Sequence, residues 1–270
     1  MRETSRLLVS FIVVLGFVGA SCGDDSESTS TTVAPTTEAP TPVPAVSGDV
    51  TVFAAASLTA AFTEIGDAFM VEYPATKVAF NFAASSELAT QIGEGAPTDV
   101  FASADVANMT KLTDAGNNAT EPVVFANNLL QIIVGPGNPN GITTVADLAN
   151  LDLIVVTCAP EVPCGKYATT LFENAAVTVT PKSLEENVKA VVTKVTLGEA
   201  DAGIVYRTDV TAAGAAAAGV DIPAGVNVLA EYPVAVTKDA LNPDGARAFV
   251  DFIVSDAGQK ILASYGFLAP

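Results

Sequence analysis

The stretch VTVFAAASLTAAFTEIGDAF, residues 50–69, decides the fold. Its first six residues form a short apolar run, β-branched at its start, which reads as a buried strand. Ser57 then precedes a segment in which Leu58, Phe62, Ile65 and Phe69 fall on one helical face, with Ser57 as the expected N-cap. Pro74 ends that helix. The same handover recurs along the chain. KVAFNFAA (77–84) is a strand followed by the helix-like ELATQIGEG, and DVFASAD (99–105), NLLQIIVG (128–135), LDLIVVT (151–157), DAGIVY (201–206) and EYPVAVT (231–237) are further strands. Thr144 with Asp147, and Ser183 with Glu186, have the spacing of capping boxes, the second opening the helix ENVKAVVTKVTLGEA. Pro243 starts a final helix, and AGQKILASYGF closes the chain. Such alternation predicts an α/β fold with helices on both faces of a mostly parallel sheet. Ligands in these sheets bind beyond the carboxyl ends of the strands, where strands hand over to helices.

Upstream of this body lie two segments of different character. MRETSRLLVSFIVVLGFVGASC (1–22) has Arg2 and Arg6, an apolar run from Leu7 to Ala20, and small residues before Cys22. This is a secretory signal pattern, its apolar run too short for a comfortable membrane span. Residues 1–21 are expected as the signal peptide. Gly-Ala-Ser before Cys22 resembles a bacterial lipobox, which implies a lipidated Cys22, although Gly19 stands where an aliphatic residue is usual. Residues 22–47 are rich in Asp, Ser, Thr and Pro and cannot bury apolar surface, so they are expected as a disordered linker. A lipid, a polar spacer and a globular body together place the protein outside a membrane, anchored to the outer face of the cell membrane.

Composition narrows the chemistry. The chain has 270 residues, a formal charge of −18, no His and no Trp. Such acidity repels nucleic acid and anionic membrane surfaces. Without His, Ser-His and Cys-His nucleophile pairs are excluded, and no Ser-x-x-Lys occurs. Carboxylate chemistry remains open, since 30 acidic residues are present, but no paired-carboxylate motif stands out.

Four strand-to-helix junctions draw attention: AAASLT (54–59), AASSELA (83–89), VPCGKYA (162–168) with Gly165, and EENVKA (185–190). Each helix start offers unpaired backbone N–H groups and the positive end of a dipole, about half a charge apiece. Four together balance a dianion with no Lys or Arg, which is how an acidic protein holds an anion.

In their order, AAASLT, SSELATQIGEGAPTDVFASAD, VPCGKYA, GIVYRTD, EYPVAV and the C-terminal YGF closely resemble the molybdate-binding proteins of bacterial ABC importers, over about residues 49–268. The resemblance implies a two-lobed periplasmic-binding-protein fold (type II), with an oxyanion in the cleft between lobes. It implies capture of molybdate, and tungstate with it, for a membrane permease, by a monomer that is not an enzyme and needs no cofactor. By that likeness Ser57 and Ser85 donate from one lobe through hydroxyl and backbone N–H groups, with Ser86 as the alternative to Ser85. Cys164 and Val188 donate backbone N–H groups from the other lobe, and the Tyr206 hydroxyl completes the shell, so the metal is held only as its oxyanion. Cys164 departs from relatives in which a small apolar residue such as Ala stands there, a change a backbone donor tolerates. Lobe I is expected over 48–127 and 233–270 and lobe II over 128–232, with crossings near 126–129 and 230–234.

Two rivals remain. A donor-only shell favours a fully deprotonated anion, which leaves sulfate as the alternative ligand and makes phosphate a poorer one. A surface carboxylate-dependent hydrolase is the alternative outside the binding class. Ferric-ion binding requires clustered Tyr, His or carboxylates, and the five tyrosines are scattered along the sequence. Cys158 and Cys164 bracket the short loop CAPEVPC, stiffened by Pro160 and Pro163. In an oxidising compartment they are expected to form a disulfide rather than remain two free thiols.

Overall fold

The structure, a computed structural model, describes residues 46–270. The signal peptide, the lipidation site Cys22 and linker residues 22–45 lie outside the described residues. The strands are β1 (Gly48–Ala55), β2 (Thr76–Ala83), β3 (Val100–Ala102), β4 (Val123–Val134), β5 (Val155–Cys158), β6 (Ser183–Glu185), β7 (Ala202–Tyr206), β8 (Ala218–Asp221) and β9 (Leu229–Val236). The α-helices are α1 (Thr59–Glu72), α2 (Ser85–Gly93), α3 (Val106–Asp114), α4 (Pro163–Asn174), α5 (Val188–Thr196), α6 (Arg207–Ala213), α7 (Pro243–Val254) and α8 (Asp256–Ser264).

The strands run in the order β2-β1-β3-β9-β4-β7-β5-β6, with β8 beside β4. The sheet is mixed, not mostly parallel. β1 pairs in parallel with β2 and β3, and β5 with β6 and β7. The pairs β3–β9, β4–β9, β4–β7 and β4–β8 are antiparallel. The physical reason lies in β4 and β9. Val123–Leu129 of β4 pairs with β9, whereas Leu130–Val134 pairs with β7 and β8. A chain that leaves one group of parallel strands along β4 and returns along β9 must run the opposite way on its return.

The opening motif folds as its periodicity demands. Leu58, Phe62, Ile65 and Phe69 are wholly buried, each worth about 1.5–3 kcal/mol on removal from water. Phe62 and Phe69 meet Phe249 of α7 edge-on, with ring centroids 6.3 and 5.2 Å apart. Asn242 caps α7 by accepting from Gly245 N, and its own N–H donates to buried Asp99, which also accepts from Thr51 N. These contacts tie the C-terminal helices to β1.

Several local expectations are corrected. Ser57 caps nothing: it sits inside a 3-10 turn, Ala56–Leu58, and its hydroxyl is taken up elsewhere. Ser183 lies in β6, and α5 is capped by Asn187, whose Oδ1 accepts from Ala190 N; an Asx side chain next to the helix outcompetes a Ser five residues before it. Thr144 and Asp147 do form a capping box, on a 3-10 turn. β5 starts only at Val155, because Asp201 and the Asn150 turn take the preceding amides. The short strands SLE and AGVD carry no apolar run to betray them.

Candidate oxyanion site

The site grows out of the strand ends. β1 leads into the turn carrying Ser57, and β2 into α2, where Ser85 is the first helical residue. β5 leads through a short loop into α4, with Pro163 and Cys164 as its first two residues. β6 leads into α5, which starts at Val188, and β7 ends at Tyr206. All five expected residues line one small cavity, with Ala55, Ala56, Ala83, Ala84, Ala104, Val162, Pro163 and Asn187. The space among them is small, about 220 Å³ counting its open mouth. Ser85, not Ser86, faces this space.

Donors dominate the lining. The first N–H groups of α2, α4 and α5 have no intrahelical acceptor, and the positive ends of the three dipoles converge on the cavity. The Ser85 oxygen accepts from Ala104 N at 3.0 Å, which leaves the hydroxyl proton to be donated elsewhere. Tyr206 Oη is the sharpest feature. Its residue is 1% exposed, and the hydroxyl has no hydrogen-bond partner within the protein. A buried, unsatisfied hydroxyl costs about 1–3 kcal/mol. Burial pushes its pKa well above 10, reinforced by Tyr232, Tyr167, Asp209 and Asp105, so the group keeps its proton and remains a donor.

Behind Tyr206 a charge is buried. Asp209 is fully buried; its Oδ1 meets Lys189 Nζ at 3.0 Å and its Oδ2 accepts from Tyr206 N. Burial raises its pKa while the lysine opposes that rise. The pair neutralises a carboxylate that would otherwise repel an anion, and it fastens α5 to the start of α6.

The loop before α4 is tightly built. Cys158 and Cys164 are joined by a disulfide, with Cα atoms 5.7 Å apart. A Cβ on Gly165 would lie 1.9 Å from the Ala159 carbonyl oxygen, so only glycine lets the helix start close against the loop.

Three of the five tyrosines, scattered along the sequence, come together in space. Tyr167 and Tyr232 flank Tyr206, with centroids 6.4 and 5.8 Å from its ring, because the start of α4 and the strands β7 and β9 meet here. Sequence reasoning missed Tyr232, Asn128 and Thr208. Tyr232 Oη lies 3.0 Å from Ser57 Oγ, and Asn128 Nδ2 donates to Thr208 Oγ1 at 2.9 Å and to Tyr232 Oη at 3.4 Å.

Comparison with known proteins agrees with this architecture. The sequence profile of the bacterial extracellular solute-binding proteins matches residues 50–268. The molybdate-binding protein ModA of Mycobacterium tuberculosis is 41% identical over 263 residues, covering 97% of each chain. Among solved structures, the periplasmic molybdate-binding protein of Azotobacter vinelandii superposes with a TM-score of 0.73 at 19% identity, covering 82% of this chain and 99% of its own. The sulfate-binding protein SubI of Mycobacterium tuberculosis gives a TM-score of 0.75 at 19% identity, covering 82% and 86%. The last two establish the two-lobed periplasmic-binding fold. Strand ends that converge on a small donor-lined cavity, on that fold and over nearly the whole body, make this chain a member of the bacterial extracellular solute-binding protein family rather than of an enzyme family.

Proposed function

We propose that the protein captures molybdate, and tungstate with it, outside the cytoplasmic membrane and delivers it to the permease of an ABC importer. The observation that carries this reading is the Tyr206 hydroxyl: a protonated, buried donor with no protein partner, at a cavity lined by three helix starts and two serines. Ser57, Ser85 and Tyr206 supply hydroxyl donors, and Cys164 and Val188 supply backbone N–H groups. Three helix dipoles, each about half a positive charge, offset most of the charge of a dianion despite the acidic surface. The 41% identical ModA relative supports molybdate as the ligand.

Lobe I in this reading comprises 48–127 and 233–270 and lobe II 128–232. The change of partners along β4 and its pairing with β9 support crossings near 126–129 and 230–234, and ligand closes the lobes by a hinge motion at these strands. The protein acts as a monomer, tethered through a lipid on Cys22 by the linker ending near 47.

Sulfate is the second reading that the same donors support, and it differs from molybdate mainly in size. A ferric ion fits poorly. High pKa values for Tyr167, Tyr206 and Tyr232, each caused first by burial, oppose the phenolate form. No group of three or more Cys, Asp or Glu is arranged to hold a cation among the described residues. Native mass spectrometry of the purified protein tests the binding class: a retained molybdate or tungstate supports the reading, and none after incubation with either anion contradicts it.

A further inference from the structure

We propose that Tyr232, fixed by Asn128, is a positioning residue that commits the Ser57 hydroxyl proton to the cavity. The inference rests on the oxyanion reading above and goes beyond it. The argument is one of hydrogen-bond direction. Leu129 N–H, which only donates, meets one side-chain atom of Asn128 at 3.0 Å, so that atom is the carbonyl Oδ1. The opposite atom is therefore Nδ2, which has two protons and no capacity to accept. One goes to Thr208 Oγ1 and the other, in a longer contact, to Tyr232 Oη. The Tyr232 oxygen is thereby engaged as an acceptor, and its single proton is left for its remaining neighbour, Ser57 Oγ. Ser57 then accepts from Tyr232 and must send its own proton elsewhere, and the space it lines is the anion cavity. Without the asparagine, Tyr232 is free to accept from Ser57 and draw that proton away from the ligand.

Burial raises the Tyr232 pKa well above 10, so the relay holds at ordinary pH. All three members are buried, Tyr232 and Asn128 completely, where a wrongly turned hydroxyl is not corrected by solvent. The relay also stands on the strands that cross between the two groups of parallel strands: Asn128 lies just before β4 changes partners, and Tyr232 is on β9, paired with β4. The Tyr232 ring packs edge-on against Phe125 and Phe267, so phenylalanine preserves the packing and removes only the oxygen.

The test is a double-mutant cycle on the whole mature chain, read by calorimetric titration with molybdate. Y232F should weaken binding about tenfold in the native background and about as much in an S85A background. With S57A it should add less than about twofold, because the hydroxyl it positions is gone. A merely structural role for Tyr232 would give equal losses in all three backgrounds, and that result, or no loss from Y232F alone, overturns the proposal. If Y232F does not fold, Asn128→Ala carries the same comparison. A native chain that binds no molybdate overturns the oxyanion reading itself, whereas molybdate binding weakened by S57A but not by Y232F overturns only the positioning role.

Discussion

Replacing Tyr206 by Phe should move stability and affinity in opposite directions, a combination that packing alone does not produce. The ring keeps its place between Tyr167 and Tyr232, and only Oη is lost. That oxygen is buried with no protein partner, so without ligand its removal relieves up to about 1–3 kcal/mol, toward the lower end where a water reaches it. At about 2–4 °C per kcal/mol for a body of this size, the melting temperature of ligand-free Y206F should rise by a few degrees. In the complex the same oxygen donates to a charged acceptor, worth about 1.5–3 kcal/mol, so molybdate binding should weaken by about 10- to 150-fold. Scanning calorimetry without ligand and titration calorimetry with molybdate read the two effects separately. Unchanged affinity, or a ligand-free variant that melts lower than the native protein, would refute the assignment of Tyr206 as a donor held in reserve.

Other substitutions separate side-chain from backbone roles. Ser57→Ala and Ser85→Ala should each cost about 1.5–3 kcal/mol of molybdate binding, and Val188→Ala far less; a cycle in which Val188→Ala is the worst would invert the roles. Gly165→Ala should abolish tight binding and lower the melting temperature, since its Cβ meets the Ala159 carbonyl; native-like affinity would show that the loop is not closely packed. Thiol counting on denatured, unreduced protein carrying Cys22→Ala should find no reactive thiol. Changing Cys158 and Cys164 to Ala should cost about 2 kcal/mol of stability by the chain-entropy relation and weaken molybdate modestly; unchanged affinity would leave the bond a stabiliser only. The folded-state pKa values of Tyr206 and Tyr232 are raised. Molybdate affinity should therefore stay level to pH 10, while folding stability declines above pH 10 as the unfolded tyrosines ionise and the native ones do not. An affinity loss with a midpoint below pH 10 would argue against protonated tyrosine donors.

What the sequence disclosed and what it hid divide along a physical line. Features repeated along the chain were legible: the face formed by Leu58, Phe62, Ile65 and Phe69, the strand-to-helix handovers, and the starts of α2, α4 and α7. All five expected site residues meet in one cavity because strand ends in an α/β fold converge, so their order along the chain carried spatial information. Direction and distant pairing were not legible. The antiparallel course of β4 and β9 depends on where the chain turns back, which no local pattern encodes. The Asn128–Tyr232–Ser57 network joins residues 104 and 175 positions apart, and nothing in NLLQIIVG or EYPVAVT marks either polar residue as more than an interruption. Ser57 looked like a helix cap because capping and ligand donation favour the same residue type at the same place; only its contact with Tyr232 separates the two roles.

The central claim is met most directly by calorimetric titration of the purified protein with molybdate, tungstate, sulfate and phosphate under identical conditions. Molybdate and tungstate should both bind far more tightly than sulfate, whose shorter bonds leave it under-contacted, and phosphate should bind most weakly because a donor-only shell cannot accept its proton. Sulfate binding as tight as molybdate, or no heat with either metal oxyanion, would contradict the account.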